Sequence, residues 1–368
     1  MKQLLRRHIA RCLLPVVVLT SSCVYADSNY DLGVSVLLDY DSFDSLFSDE
    51  DVGKFSDNEV RRARVSLKSK HNDYFSSKIQ VDFDPETSKI ELKDAYLSFT
   101  GFDGFWLNVG QQKEPFGLEK LNSLRKSQFI ERSIATQAIA PGRNQGISIA
   151  MDRKTWFWKL GRYKLDSKDK QVKPHAMTGR IGWVPFNSKK LNVHFALAAS
   201  SRKLFGEKYK INERIEVHTS DSVVEGKSIK ARKVQLTGAE LIIQRKAFSF
   251  VTELQKSRVQ DTKDRRRSYQ GYYWQLGYRL TGEAHKYQMG KFGGIKPKSN
   301  YGAWEITYRQ SELELKKEAQ VINSRTYGIN YYFGKSTKVM FNYIEADNHD
   351  KNELFDGKAY SLRFQYSY

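Results

Sequence analysis

Residues 360–368 read YSLRFQYSY and alternate apolar with polar side chains to the last residue. Tyr360 and Leu362 fall on one face of an extended chain, and Ser361 and Arg363 fall on the other, because successive side chains of a strand point to opposite faces. Such a segment needs apolar surroundings on one side only. The stretch therefore predicts a β-strand whose aromatic face contacts apolar surroundings and whose charged face contacts water.

The same alternation recurs along the chain. It predicts sixteen strands, at about 31–40, 59–70, 73–83, 89–100, 103–111, 144–151, 155–163, 174–185, 190–200, 229–243, 246–257, 268–281, 300–312, 323–333, 337–346 and 358–368. Short connections alternate with long ones. No convincing amphipathic helix, internal repeat or Pro/Gly/Ser linker interrupts the pattern, so we expect one all-β domain.

Two architectures would cover the apolar faces. A soluble sandwich buries them between two sheets, but sixteen strands of about ten residues in one sheet leave exposed edges. A closed barrel in a bilayer has no edges and turns its apolar face to lipid. The 21 Tyr, 21 Phe and 6 Trp residues fit the aromatic girdles of such barrels. We predict a transmembrane antiparallel β-barrel of about sixteen strands, formed by residues 27–368.

Residues 1–26 have the form of a cleavable export signal. A basic segment precedes an apolar run that is too short to span a bilayer, and small residues end at Ala26. A lipoprotein signal ending at Cys23 is the alternative, although Leu19 lies one residue too far from that cysteine. Cleavage after Ala26 would remove Cys12 as well as Cys23, which excludes disulfides, thiol catalysis and cysteine metal sites from the mature chain.

The charge of the expected mature chain indicates an anionic partner. The signal segment takes four basic and no acidic residues from the 61 basic and 42 acidic residues of the sequence, which leaves a net charge of +15. Nucleic acid is the intracellular interpretation of such a surplus, and export makes it unsuitable here. We therefore expect small anions as the partners.

One long connection, 112–143, lacks the two-residue period. Loops of this length are usually functional or disordered, and its apolar residues argue against disorder. Its basic residues outnumber its acidic ones. We interpret it as a loop folded against another part of the barrel.

Two blocks of sequence resemble the phosphate-selective porin family of Gram-negative bacteria. The first comprises GQQKEPFGLEKLNS at 110–123, FIERS at 129–133 and APGRNQG at 140–146, and the second comprises GYYWQLGYRLTGE at 271–283, KFGGIKP at 291–297 and GAWEITYR at 302–309. The resemblance implies a trimeric, sixteen-stranded outer-membrane channel. It also implies that 112–143 is a pore loop folded into the lumen and that 282–299 is a second inward connection.

The resemblance further implies an anion-binding constriction. Where the pore loop of the family carries a lysine, this chain has Arg125, followed by Lys126. Lys120 lies on the same loop, and Lys291 and Lys296 would form the opposing wall unless they face periplasmic water.

Strand phase places nine basic residues on the face expected to line the lumen. Seven of them form a basic ladder, Arg62, Arg64, Lys68, Arg180, Arg279, Arg309 and Arg363, and the other two are Lys70 and Lys78. Five acids share the lumen face: Asp82, Asp94, Glu240, Glu253 and Glu305. The surplus would attract anions, and the alternative is that these residues form ion pairs that stiffen the wall.

The sequence thus predicts a passive outer-membrane channel, selective for phosphate or a related oxyanion, embedded in lipid and trimeric. A general diffusion pore with weak anion preference is the alternative within channels. A barrel enzyme and a plugged adhesin barrel are the alternatives from other classes. We expect neither enzymatic activity nor a cofactor, since no nucleophile, phosphate-loop or dinucleotide motif is visible.

Overall fold

The computed structural model describes residues 29–47, 54–84, 88–188, 190–288, 290–351 and 353–368. The expected export signal and both cysteines lie outside these residues.

Sixteen antiparallel strands form one closed sheet. They are β1 (Asn29–Phe43), β2 (Phe55–Lys70), β3 (Phe75–Asp84), β4 (Lys89–Phe99), β5 (Phe105–Lys113), β6 (Arg143–Asp152), β7 (Trp156–Lys164), β8 (His175–Asn187), β9 (Leu191–Lys203), β10 (Ile229–Arg245), β11 (Phe248–Asp261), β12 (Arg266–Arg279), β13 (Ala303–Leu315), β14 (Gln320–Phe333), β15 (Thr337–Asp350) and β16 (Glu353–Ser367). Each strand pairs with its sequence neighbour, and β1 pairs with β16, from Ser35 opposite Ser367 to Phe43 opposite Ala359. The predicted all-β, sixteen-stranded barrel is confirmed.

The apolar faces of the strands point away from the barrel axis. On β16, Leu362 is 46% exposed whereas Arg363 is 0% exposed. Tyr308, Tyr327 and Tyr343 continue an outward row of rings on neighbouring strands, with ring centroids 5.1 and 6.0 Å apart. Polar side chains consequently line much of the interior, as in a barrel whose exterior contacts lipid. A buried apolar cluster that includes Phe116, Ile134, Ile215 and Leu313 packs the inward connections against the strands.

A β-bulge on β2 departs from strict alternation. Leu37 lies opposite Arg62 and Asp39 lies opposite Glu59, so one extra residue is inserted on β2 between these pairs. The bulge lets Arg61 reach inward together with Arg62, and the Arg61 Nε lies 2.7 Å from a carboxylate oxygen of Glu131. Alternation alone would have placed Arg61 on the outer face.

The two ends of the barrel differ. One end, here called the turn end, carries the start of β1, the end of β16, the short β2–β3, β4–β5, β6–β7, β10–β11 and β14–β15 turns, and the long connection 280–302. The other, the loop end, carries the longer β1–β2, β5–β6, β7–β8 and β9–β10 connections and the short β11–β12 and β13–β14 turns. In the described residues, no helix is both long and apolar enough to cross a membrane.

Short elements occupy these connections. They are the 3₁₀ helices Ser45–Phe47 and Leu124–Lys126, the helices α1 (Leu118–Leu121) and α2 (Ile134–Ile139), the strand Lys208–Tyr209 beside β10, and the two-residue pairs Asn212–Glu213 with Val224–Glu225 and Tyr287–Gln288 with Lys291–Phe292.

Candidate functional site

The connection between β5 and β6 crosses the barrel interior. The backbone N–H of Ile130 donates to Asn342 Oδ1 on β15 at 2.9 Å, and Arg363 Nη1 on β16 donates to the carbonyl of Ile130 at 2.5 Å. Gln128 Nε2 donates to Glu305 on β13 at 2.8 Å. The loop therefore leaves one wall and is held by strands of the opposite wall.

A buried carboxylate, that of Glu131, is the main electrostatic attachment of this loop. Arg61 contacts it at 2.7 Å and Arg363 at 3.0 Å, and its side chain is 4% exposed. Burial alone would raise the pKa of Glu131, but the two guanidinium groups hold the pKa below its usual range. A charged Glu131 thus fixes the loop between β2 and β16.

Local sequence explains the path of the loop. Gly117 begins α1 with a φ of 70°, a conformation that a residue with a Cβ rarely adopts. The Glu119 N–H then donates to Glu253 at 2.6 Å. Ser133 caps α2 by accepting from the N–H of Thr136, so both short helices have an ordered start.

The connection 280–302 enters the interior from the turn end. Arg180 Nη2 donates to the carbonyl of Gly290 at 3.1 Å, and the Phe292 N–H donates to Asn122 Oδ1 of the β5–β6 loop at 3.1 Å. Gly290 has a φ of 71°, and a Cβ there would lie 2.7 Å from the Arg180 guanidinium. The two inward segments are therefore in direct contact.

A third segment, the β9–β10 connection, closes over the loop end. Its Glu216 is 1% exposed and accepts from Ser311 Oγ at 2.5 Å and from the Ile134 N–H at 3.2 Å. Arg309 also pairs with this carboxylate. The sequence left open whether this connection enters the lumen, and the structure packs it against the β5–β6 loop.

Three cavities remain along the interior. A cavity of about 540 Å³ lies toward the loop end, one of about 380 Å³ lies beside β6 and β7, and one of about 610 Å³ opens at the turn end. Arg64 and Ser123 line all three. The boundary between the cavities therefore lies where the β5–β6 loop faces β2.

The residues predicted for the constriction lie in different cavities. Lys120 lines the loop-end cavity, and Arg125 and Lys126 line the turn-end cavity. Lys291 lines both the middle and the turn-end cavities. Lys296 is exposed and lines none of the three. Four of the five thus line interior cavities, which all have Ser123 in their walls.

Every residue of the predicted basic ladder has a carboxylate within ion-pair distance. The pairs are Arg62 and Arg64 with Asp82, Lys68 with Asp31, Arg180 with Glu240, Arg279 with Glu305, Arg309 with Glu119 and Glu216, and Arg363 with Asp39 and Glu131. The last four arginines are at most 6% exposed. The ladder thus forms the ion pairs that the sequence left open as the alternative to free lumen charges. Arg62 and Arg64 differ from the other five residues because they share one carboxylate, that of Asp82.

Sequence reasoning missed several basic residues that line these cavities without a carboxylate partner. Lys113 Nζ donates to the carbonyls of Lys120 at 2.6 Å and Leu121 at 3.0 Å, and Arg132 Nε donates to the carbonyl of Glu119 at 3.1 Å. Neutral carbonyls leave the charge of these groups uncancelled. No periodic signal marks such residues, because they lie at or beyond strand ends.

The described lining residues are strongly unbalanced in charge. Basic side chains outside any ion pair are Lys113, Lys120, Arg125, Lys126, Arg132, Lys159, Lys291, Lys335 and Lys338. Among the described lining carboxylates, Asp152 alone lacks an ion pair. The interior therefore carries a net positive potential at the β5–β6 loop.

Crowding of like charges changes the acidity of the loop cations. Burial and the neighbouring Arg132 lower the pKa of Lys120 to about 8. Burial and Arg64 lower the pKa of Arg125, and burial and Arg125 lower the pKa of Lys126. Among the described residues, no three His, Cys, Asp or Glu side chains are grouped as metal ligands.

Comparison with solved structures places the fold among the porins. An anion-selective porin from Comamonas acidovorans superposes with a TM-score of 0.61 over 93% of this chain and 100% of that chain, at 10% identity. The trimer form of OmpT from Vibrio cholerae gives a TM-score of 0.58 over 93% of this chain and 99% of that chain, at 11% identity. At such identities the likeness concerns the fold alone.

Sequence comparison identifies the family. Porin O of Pseudomonas aeruginosa is 31% identical over 114 residues, which are 26% of each chain. An uncharacterized protein of Caulobacter vibrioides is 23% identical over 259 residues, which span 64% of this chain and 52% of that protein. The alignments thus span about a quarter and about half of these relatives. Residues 31–368 match the phosphate-selective porin O and P family, and the chain belongs to that family of outer-membrane, non-enzymatic channels.

Proposed function

We propose that this porin conducts anions in preference to cations and that its favoured solute is phosphate or a related oxyanion. The observation that carries the proposal is the set of lumen cations without carboxylate partners, of which Lys120, Arg125, Lys126 and Arg132 lie on the β5–β6 loop and Lys291 lies on the opposing 280–302 connection. Fixed charges of one sign at a narrow place form a potential well for the opposite ion.

Position matters as much as the number of charges. In a wide lumen at physiological salt, charges are screened over about 8 Å. The β5–β6 loop narrows the lumen, so a passing anion has to approach Lys113, Lys120 or Arg125 closely. Several such sites in sequence bind moderately and release, which conduction requires.

An oxyanion suits these donors. Arg125 presents a planar fork that matches two oxygens of a phosphate, and Lys120 and Lys291 present compact charges. The family description supports phosphate as the solute, and the name of the Comamonas acidovorans porin supports anions in general. Arg125 stands where the family carries lysine, so we expect oxyanion binding to rest on arginine at this position.

A general diffusion pore with weak anion preference is the second candidate. One observation favours it: each of the seven residues of the basic ladder has a carboxylate within ion-pair distance, although Arg62 and Arg64 share one, and these pairs remove much of the charge of the wall. In that case the loop cations would keep the lumen filled with water and would favour anions over cations only weakly.

A reversal-potential measurement on the purified protein in a planar bilayer of neutral lipid separates the two. Under a tenfold KCl gradient at neutral pH, we expect a potential of the sign given by chloride permeability, and we expect added phosphate to block the chloride current. A near-zero potential with no block would favour the diffusion pore, and cation preference would overturn the proposal.

We further propose a trimer, which mass determination in detergent would test.

A further inference from the structure

A row of cations crosses the outer face of the barrel near the loop end. Lys164 on β7 lies opposite His175 on β8, His175 lies opposite Lys203 on β9, and Lys203 lies opposite Lys233 on β10. Lys164 and Lys203 are exposed, and their sequence neighbours Tyr163 and Arg202 point inward. The row therefore points away from the lumen and has no part in conduction.

This arrangement is unfavourable in isolation. Residues directly opposite each other on adjacent strands have Cβ atoms about 5 Å apart, and like charges in such positions repel. Lys203 and Lys233 form such a pair, whereas His175 lies between Lys203 and Lys164. In the described part of the chain, no ion pair involves Lys164, Lys203 or Lys233. Elsewhere on the outer face, Arg325 on β14 has a carboxylate, that of Glu345 on β15, in the directly opposite cross-strand position. The three lysines of the row thus have no anionic partner in the described part of the chain.

Apolar side chains lie directly below the row. Arg162, one position toward the turn end on the same face, is flanked by Ile147 on β6 and Met177 on β8. Ile147 is 55% exposed and Met177 is 50% exposed, and Ile181 continues the strip at 58%. The cations therefore lie at the upper edge of the lipid-facing surface, where long basic side chains reach the polar head groups.

A groove lies at the Lys164 end of the row, and Lys203, Lys233 and Met177 lie outside it. It has a volume of about 790 Å³ and lies between the outer face of β6 to β8 and the β7–β8 connection. Arg162, Lys164, Lys170 and Lys173 line it together with Ile147, and Asp166 and Asp169 are its acidic members. The carboxylate of Asp169 accepts from the Gln171 N–H at 2.8 Å within the connection itself. The groove thus offers cations above and an apolar floor below.

We propose that this outer surface, defined by Arg162, Lys164, Lys203 and Lys233, binds a phosphate-bearing lipid head group of the surrounding leaflet. The phosphate oxygens would lie between the lysines and relieve their repulsion, and an acyl chain would run along Ile147 and Met177. A free anion would satisfy the charges but not the apolar floor, so the occupant is a lipid.

The test uses the full-length protein in neutral detergent with phosphatidylglycerol as the probe, and it follows the midpoint of heat unfolding against lipid concentration. We expect phosphatidylglycerol to raise the midpoint, phosphatidylcholine to leave it unchanged, and inorganic phosphate not to compete. Because a basic residue near an anionic lipid surface contributes about a fivefold gain in affinity, a variant combining Lys164→Gln, Lys203→Gln and Lys233→Gln should bind about a hundredfold more weakly.

Matched variants keep the proposal falsifiable. Arg325→Gln removes an outer cation that already faces Glu345 and should leave lipid affinity unchanged, and Lys203→Arg should retain it. Without lipid, the triple variant should unfold at a higher temperature than the wild type, because the repulsion is gone, and its conductance should be unchanged. If the triple variant fails to fold, Lys203→Gln alone should lose about fivefold. Unchanged affinity in the neutralised variants, equal binding of phosphatidylcholine, or displacement by inorganic phosphate would each overturn the proposal.

Discussion

Reversing the charge of Arg125 should weaken anion selection strongly. At 4 Å, two unit charges interact by about 4 kcal/mol at an effective dielectric of 20 and by about 1 kcal/mol in water, so Arg125→Glu changes the energy of a nearby anion by about 2 to 8 kcal/mol. Arg125 is partly exposed to the turn-end cavity, and Arg64 and Lys126 remain beside it. We therefore expect the lower limit of about 2 kcal/mol, which corresponds to roughly thirtyfold lower anion occupancy.

Single-channel conductance and reversal potential in a neutral planar bilayer measure this effect. Arg125→Glu should lower the chloride current, shift the reversal potential toward cation permeability and weaken block by phosphate, whereas Arg125→Lys should keep the sign of the potential. Lys170→Glu is the matched control, because it makes the same charge change on the exposed β7–β8 connection outside the lumen. Equal effects of Arg125→Glu and Lys170→Glu would show that anions are selected elsewhere.

Three further outcomes are expected. Leu362→Arg on the lipid face should cost about 2–4 kcal/mol and impair barrel assembly, while Leu362→Met should not; equal heat stability of the two variants in detergent would contradict the assigned face. Glu131→Gln removes the buried partner of Arg61 and one partner of Arg363, so the loop attachment should weaken by about 3–5 kcal/mol and single-channel current noise should rise above that of the wild type. Because burial lowers the pKa of Lys120 to about 8, raising the pH from 7 to 9 should neutralise most of this group and reduce anion preference, and Lys120→Arg should lessen that pH dependence.

The candidate site was only partly predictable. The segment from Gln111 to Gly146 was recognised in the sequence because it lacks the two-residue period of the strands. Its attachment to the opposite wall depends on contacts between residues far apart in the sequence, such as Ile130 with Asn342. No local pattern records such pairs. Likewise, nothing in the order of residues shows that Lys113 is surrounded by carbonyls while Arg309 lies between two carboxylates.

By itself, the sequence determined the barrel, its sixteen strands and which side chains of each strand face outward, because successive side chains of a strand alternate between the two faces and so produce a two-residue period. Tertiary structure alone decided which basic residues remain uncompensated. Whether a basic residue finds a carboxylate partner depends on where the β5–β6, β9–β10 and 280–302 connections meet. It also depends on the bulge that turns Arg61 inward. The charge of the interior is therefore a sum over residues far apart in the chain, and only the closed barrel brings those residues together.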